Sequence, residues 1–243
     1  MKNTVRTVDF CGVEISYTLE YKSVKNINLR VKPDGVFVSA PPQTPAREID
    51  AFVCSKGSFI VAARNRVAAR AADLPMPRRF EDGEIFLHLG RALRLAVIAS
   101  DDERVQFDDA FIYLYVSDTA DFAKKQRLYH AWISRRCEKV FAGFVKDVYE
   151  KMKGSGVPYP TMRIKDMRSR WGSCIPQKGV ITLNMQLIKA PPACIEYVVV
   201  HEIAHFLHPD HSEKFHTFVA SILPDWKDRK HALDQVRIVP GQI

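Results

Sequence analysis

Alternating hydrophobic and polar positions in residues 8–40 predict β-strands. Two of these strands, NINLRV and VFVSAP, flank KPDG, a turn signal because proline presets φ and glycine accepts a positive φ. Residues 45–72 change to helical spacing, which we expect to break near Lys56 and Gly57. A second β region follows in EIFLHLGRALRLAVIAS and FIYLYVS, with Gly90 at a hairpin tip. This part of the chain is therefore predicted to be β-rich with one inserted helical segment.

A long amphipathic helix is predicted for residues 119–153, with apolar residues near 3.6-residue spacing at Leu128, Trp132, Ile133, Val140, Phe144 and Val148. After the loop GSGVPYP, two predicted strands, TMRIKDM and GVITLN, are joined through RSRWGSCIPQK. A further helix is expected from near Pro192 to about Leu207, followed by two short helices. We place a boundary between residues 1–118 and 119–243, with one continuous domain as the alternative, and we find no internal repeat in the sequence.

The composition is that of a soluble, folded protein, with 47% apolar and 26% charged residues. The start of the chain carries no secretory signal pattern, and no uncharged apolar stretch reaches the roughly 18 residues of a membrane-spanning helix. We therefore expect a cytoplasmic protein that does not interact with a membrane. The five cysteines form no C-x-x-C pair, which argues against a thiolate zinc site.

The formal net charge of +8 has a regional origin. Residues 121–170 contain thirteen Lys or Arg and five Asp or Glu, a difference of eight. Such a region attracts phosphates or acidic proteins, although a solvated helix face explains the same pattern. Since no Walker A, RNP or zinc-finger pattern is present, DNA stays a partner hypothesis that depends on this region alone.

The segment VVVHEIAHFLHPDHSEKFH, residues 198–216, contains five of the eight histidines. His201 and His205 are four residues apart, so on a helix both imidazoles project from one face and can reach one ion. Glu202 is rotated by roughly 100° from His201, which places its carboxylate beside the ion as a general base. This is the H-E-x-x-H pattern of zinc hydrolases. The apolar, β-branched residues before it indicate a helix buried in a core.

A catalytic zinc needs a third protein ligand and one open position. His211 is the leading candidate, because five residues separate it from His205 and allow the chain to turn back. Glu213 is the alternative. The spacing matches the metzincin pattern except that His208 replaces its glycine, and the downstream Met-turn is missing because all six methionines precede the histidines.

The remaining polar residues of this segment have simpler interpretations. We expect His208 and His216 to lie at the surface or to support the ligands from behind. Asp210 either orients a ligand imidazole or ends the helix, and the sequence leaves both interpretations open.

Several segments together resemble the YgjP-like family of predicted metal-dependent hydrolases, which is related to the SprT-like and WLM zinc peptidases. The matching stretches are RSRWGSC (168–174), GVITLNMQLIKAPPACIEYVVVHEIAHFLHPDHSEKF (179–215) and PDW (224–226), with DGVFVSAPP upstream. The chain departs from the family pattern at Asp210 and His216, and its YKSVKNINLRV lacks the usual paired arginines.

The resemblance implies an α+β fold with a zincin-like C-terminal metallopeptidase domain and a β-rich N-terminal region. It implies Zn²⁺ on His201, His205 and His211, with Glu202 as the catalytic base. It also implies that strands near RWGSC and VITLN border the cleft, where an edge strand pairs with an extended peptide. On that basis the substrate-cleft candidates are Arg170, Trp171 and Asn184, although packing or turn roles explain each of them equally well.

Two functional hypotheses follow. The first is a zinc metallopeptidase that acts on a protein or peptide, with a zinc-activated water and Glu202 as general base. The second is a DNA-associated binding or accessory protein that retains the zincin scaffold, with DNA-stimulated proteolysis as a hybrid of the two.

Overall fold

The computed structural model describes residues 4–32, 34–72, 77–239, 241 and 243, with side chains for all of these except residues 66–72. The chain divides into two compact units, Met1–Met76 and Pro77–Ile243. Both units combine helices with small sheets, so the fold class is α+β.

The first unit contains a four-stranded sheet and two helices. The elements are β1 (Thr4–Phe10), β2 (Val13–Tyr21), β3 (Asn28–Lys32), β4 (Gly35–Ala40), α1 (Ala46–Ser55) and α2 (Gly57–Ala72). The strand order is β1-β2-β4-β3, in which β2 and β4 are parallel and the outer pairs are antiparallel. The predicted turn between β3 and β4 includes Pro33, which lies outside the described residues.

The predicted interruption between the two helices is confirmed, since α1 ends at Ser55 and α2 begins at Gly57. The reason for a glycine is steric. A Cβ at Gly57 would overlap the ring of Phe10.

The second unit begins with a sheet of β5 (Ile85–His88), β6 (Arg91–Ala99), β7 (Arg104–Phe107) and β8 (Phe111–Val116). Its order, β5-β6-β8-β7, and its strand directions repeat those of the first sheet, although the sequence shows no repeat. The predicted hairpin tip is confirmed, because Leu89 and Gly90 have φ angles of 51° and 80°. Two consecutive positive φ angles are typical of a tight β-hairpin turn.

Helix α3 (Phe122–Met152) confirms the long helix predicted for residues 119–153 and begins where the Asp121 carboxylate accepts the Lys124 amide. Of the predicted buried positions, Leu128, Val140 and Phe144 are only partly buried, and the fully buried stripe is Tyr129, Trp132, Ile133, Cys137, Phe141, Val145, Val148 and Met152. The inner residues of β5, β6 and β8 belong to the same core. For this reason the division lies after residue 76, not after residue 118 as predicted.

The remaining elements are β9 (Thr161–Lys165), β10 (Gly172–Ile175), β11 (Val180–Asn184), α4 (Pro192–Ala204), α5 (Glu213–Ile222) and α6 (Trp226–Asp234). Strand β11 is central, antiparallel to β10 and parallel to β9. Helix α4 was predicted to reach Leu207 but ends at Ala204, with His205 as its C-cap. Within the described ranges, no helix has the length and apolarity needed to span a membrane.

His88, at the end of β5, is buried beside a cation. Its side chain is 4% exposed, its Nε2 accepts a hydrogen bond from Arg136 Nε at 3.2 Å, and its ring stacks on Phe107. Burial, and then the charge of Arg136, lowers the pKa of His88 to about 4. The imidazole is therefore neutral in the folded protein at neutral pH.

We expect acid to destabilise the protein through His88. Above the ordinary pKa of 6.5 both states are neutral, whereas between 6.5 and about 4 only the unfolded state binds the proton, so stability falls as pH falls. A tenfold change in proton affinity is worth about 1.4 kcal/mol, so the free energy of unfolding falls by about 3 kcal/mol over this pH range. Urea denaturation at several pH values in the range measures this free energy. His88→Gln keeps an acceptor without titrating and should reduce the pH dependence of the free energy of unfolding; an unchanged dependence would contradict this assignment.

Candidate metal centre

Helix α4 carries the candidate site and is buried on almost every side. Its buried apolar residues are Cys194, Ile195, Tyr197, Val198, Val199, Val200, Ile203 and Ala204. Because β-branched residues have a low helix propensity, packing in the core must stabilise α4. The last turn of the helix delivers His201, Glu202 and His205 to one place.

Three imidazoles meet at the end of this helix. The ligand atoms of His201, His205 and His211 all lie within 4.8 Å of one another. The Nε2 atoms of His201 and His211 are 3.0 Å apart. Two protonated nitrogens cannot both donate to each other, so at least one of them presents a lone pair.

His205 is oriented by a backbone group. Its Nδ1 lies 3.0 Å from the carbonyl oxygen of His208. Since a carbonyl only accepts, Nδ1 carries the proton, and in the neutral tautomer of this ring Nε2 is the nitrogen with the lone pair. His208 thus supports the group through its main chain, a role with no signal in the sequence, while its ring lies near Phe218.

Phe215 packs against all three imidazoles. Its side chain is 1% exposed, and its ring centroid lies 4.9, 4.7 and 4.9 Å from those of His201, His205 and His211. This contact restricts the ring orientations from the apolar side. Sequence reasoning missed the role, because a phenylalanine at a buried position of α5 cannot be distinguished by pattern from any other core residue.

The surroundings favour the neutral form of His201 and His211. Burial is the main factor that lowers the pKa of His201 to about 3, and the neighbouring histidines add to it. Burial is also the first cause that lowers the pKa of His211. A neutral imidazole has a nitrogen lone pair available, and three histidine side chains that converge at one point suit a transition-metal ion such as zinc.

The structure does not bring Glu213, the alternative third ligand, to this group. Glu213 begins α5 and lines a separate surface depression with His208 and Lys214. Asp210 is exposed, and its Oδ1 accepts the backbone amide of Ser212 at 3.3 Å. Among the described contacts, Asp210 therefore supports the turn and does not orient an imidazole.

Glu202 lies against strand β10. Its side chain is 6% exposed, and a Cβ built on Gly172 would come within 2.5 Å of its Oε1. Burial raises the pKa of Glu202 to about 8, against the opposing effect of Arg170. The missing side chain at Gly172 thus leaves the space that the Glu202 carboxylate occupies in the cavity that it lines with His201.

Two of the three predicted cleft residues line a cavity at the candidate site, and the third does not. Arg170 and Trp171 line a cavity together with His201 and Glu202. Asn184 does not line it, because its side chain is fully buried, with 0% exposure. Its amide nitrogen donates to the carbonyls of Met167 and Arg170, both at 2.8 Å, and its oxygen accepts the Met167 amide at 3.3 Å. Asn184 holds the loop that carries the cleft residues.

The sequence and fold were compared with known proteins. A family model described as YgjP-like, metallopeptidase domain, matches residues 25–236. No curated protein shows a significant match. Similar solved structures include the metallopeptidase zymogens of Pyrococcus abyssi abylysin and Methanocaldococcus jannaschii jannalysin, both 19% identical, with TM-scores of 0.35 and 0.33. These matches cover 41% and 37% of this chain, and 99% and 94% of the two neighbours.

The family match spans most of the chain, so the chain belongs to the YgjP-like metallopeptidase family. It is accordingly a hydrolase of protein or peptide substrates, and its family implies a metal cofactor.

Gly172→Ala tests the close approach of Glu202. The added methyl group should displace the carboxylate, leave the metal content unchanged and lower peptide hydrolysis by about a hundredfold, the scale of a 1 Å misplacement. Gly143→Ala is the matched control, since a Cβ there meets no atom within 4 Å and the residue lies inside α3. It should keep full activity and gain about 0.5–1 kcal/mol of stability. Equal activities of the two variants would exclude the proposed contact.

Proposed function

We propose that this member of the YgjP-like metallopeptidase family is a zinc-dependent peptidase in which His201, His205 and His211 hold the metal and Glu202 is the general base. The observation that carries the proposal is the convergence of the three imidazoles within 4.8 Å, with the buried carboxylate next to His201 in the chain.

The hydrogen bond to His208 suits His205 to a ligand role. Because the His208 carbonyl accepts Nδ1–H, the neutral ring offers Nε2 as its ligand atom. Zinc, when bound, polarises the substrate carbonyl and lowers the pKa of a water to near neutrality. Three protein ligands leave a fourth position open, which is typical of catalytic rather than structural zinc.

Glu202 suits proton transfer in both directions. Its low exposure raises its pKa to about 8, so the carboxylate accepts a proton more readily than an exposed one does. It takes a proton from the attacking water and then delivers it to the leaving amine. Arg170 adds a positive charge that limits the rise in pKa.

Strand β10 provides a place for an extended peptide. It is an edge strand of the β10-β11-β9 sheet, and Gly172 brings it against Glu202. A peptide that pairs with this edge would be held by main-chain hydrogen bonds beside the carboxylate. This arrangement supports a polypeptide substrate.

The DNA-binding alternative has no comparable support. Within residues 121–170, the structure commits several cations to other roles: Lys124, Lys151 and Lys153 form ion pairs, and Lys125 is buried. Glu103 and Glu196, which lie outside this region, thus neutralise part of the regional charge excess, and we do not propose DNA as a partner.

Glu202→Gln should retain zinc and lose hydrolysis by at least about a hundredfold, because the amide cannot accept the proton. Elemental analysis and hydrolysis of a fluorogenic peptide measure the two properties on one preparation. Hydrolysis at the rate of the parent protein would show that another group is the base.

His201→Ala and His211→Ala should each abolish stoichiometric zinc, from about one ion per chain in the parent. Glu213→Ala and His208→Ala are the matched controls. Both should retain zinc, since neither side chain belongs to the group of three imidazoles. If Glu213→Ala lost the metal while His211→Ala kept it, the assignment of the third ligand would be wrong.

A further inference from the structure

A cavity of about 230 Å³ opens beside His201 and Glu202, and the chemistry proposed above does not use most of its walls. Three parts of the second unit form it. The loop before β10 contributes Arg170 and Trp171, and the first residue of β10 is Gly172. Helix α4 contributes Tyr197, Val198, His201 and Glu202. Helix α6 contributes Lys230, Leu233 and Asp234.

The α6 residues share one face. Lys230, Leu233 and Asp234 follow i, i+3, i+4 spacing, so they project from the same side of the helix. Trp226, one turn earlier, stacks on Tyr197 with ring centroids 6.4 Å apart and an interplanar angle of 15°. This contact fixes α6 against the helix that carries the metal ligands, so its polar residues are part of the candidate site.

The cavity is lined by two cations, Arg170 and Lys230. Among the described side chains, neither Arg170 nor Lys230 forms an ion pair, although both line the cavity. The neighbouring Arg229 differs, since it is paired with Glu196 and Asp225. Of these two neighbouring cations of α6, Arg229 is thus neutralised by carboxylates, whereas Lys230 brings its cationic side chain to the cavity wall.

The two charges act on the site from different elements. Arg170 lies in the loop before β10, and Lys230 lies on α6. Apart from Glu202, Asp234 is the single acidic residue in the cavity lining. The rest of the wall is largely apolar: Trp171, Tyr197, Val198 and Leu233.

We propose that this cavity is a specificity subsite for a carboxylate carried by the substrate residue beside the cleaved bond, held between Arg170 and Lys230. The inference rests on the proposed peptidase function and adds its substrate class. Charge-assisted hydrogen bonds in a partly apolar pocket favour a carboxylate over its neutral amide, and two cations repel a basic residue. The carboxylate belongs either to an acidic side chain or to the end of the substrate chain.

Binding to the zinc-loaded, full-length Glu202→Gln protein tests the subsite without cleavage. The probes are fluorescent peptides that differ only in Glu, Gln or Lys at one position, with that position scanned along the peptide. Each is made with a free and an amidated C-terminus. We expect the Glu peptide to bind at least about tenfold more tightly than the Gln peptide in one register. A preference that follows the side chain identifies an acidic residue, and one that is lost on amidation identifies the terminal carboxylate.

Charge variants in the same background assign the preference to the cavity. Lys230→Gln and Lys230→Glu should remove and then reverse the discrimination, and Arg170→Gln should weaken it. Lys178→Glu is the matched control: this exposed lysine lies in the turn before β11, outside the cavity, and its substitution changes the net charge equally. It should keep the full preference.

Several results would overturn the subsite. These are equal binding of Glu, Gln and Lys peptides with both termini, absence of any peptide binding, or an identical loss of preference in Lys230→Glu and Lys178→Glu. The proposed function is tested separately by cleavage of the same peptides with the unsubstituted protein. Selective binding without cleavage would refute the peptidase proposal but support the subsite. Cleavage without selectivity would support the peptidase proposal but refute the subsite.

Discussion

The burial of polar groups on an otherwise apolar helix is the constraint on which the site depends. Helix α4 packs its valines and isoleucines into the main core of the second unit, yet its last turn carries His201, Glu202 and His205. A buried carboxylate or imidazole is costly unless its surroundings compensate. A neutral His201 avoids the cost of burying a charged imidazole, and the raised pKa of Glu202 reduces the cost of burying its carboxylate. The same features that relieve the burial are those that metal binding and proton transfer require.

The surrounding elements each meet one part of this constraint. Gly172 removes the side chain that would collide with Glu202. The His208 carbonyl selects the tautomer of His205, and Phe215 supports the three imidazoles from the apolar side. Asn184, buried behind the cavity, anchors the loop that brings Arg170 and Trp171 to its rim. Most of these residues make no contact with substrate in the proposed mechanism, but they position the groups that do.

Prediction from sequence succeeded where local geometry decides the outcome. The break at Gly57, the hairpin at Gly90 and the length of α3 depend on backbone freedom and on helical periodicity, which short windows of sequence contain. The domain boundary was misplaced because the β5–β8 sheet shares its core with α3, a contact between segments distant in the sequence. The common topology of the two four-stranded sheets was missed for a similar reason, since strand order is a property of pairing and not of pattern.

The sequence by itself determined which residues of α4 belong to the candidate metal centre. The H-E-x-x-H spacing puts two imidazoles on one helical face and a carboxylate on the adjacent face, because the helical repeat is the same in every protein. It also identified His211 as the first candidate for the third imidazole. Only the tertiary structure decided that His211 and not Glu213 returns to that face, that Asn184 anchors the loop before β10, and that α6 lines the cavity with Lys230. Each of these depends on the direction in which a loop leaves one element and packs on another, and that direction is set by the whole core.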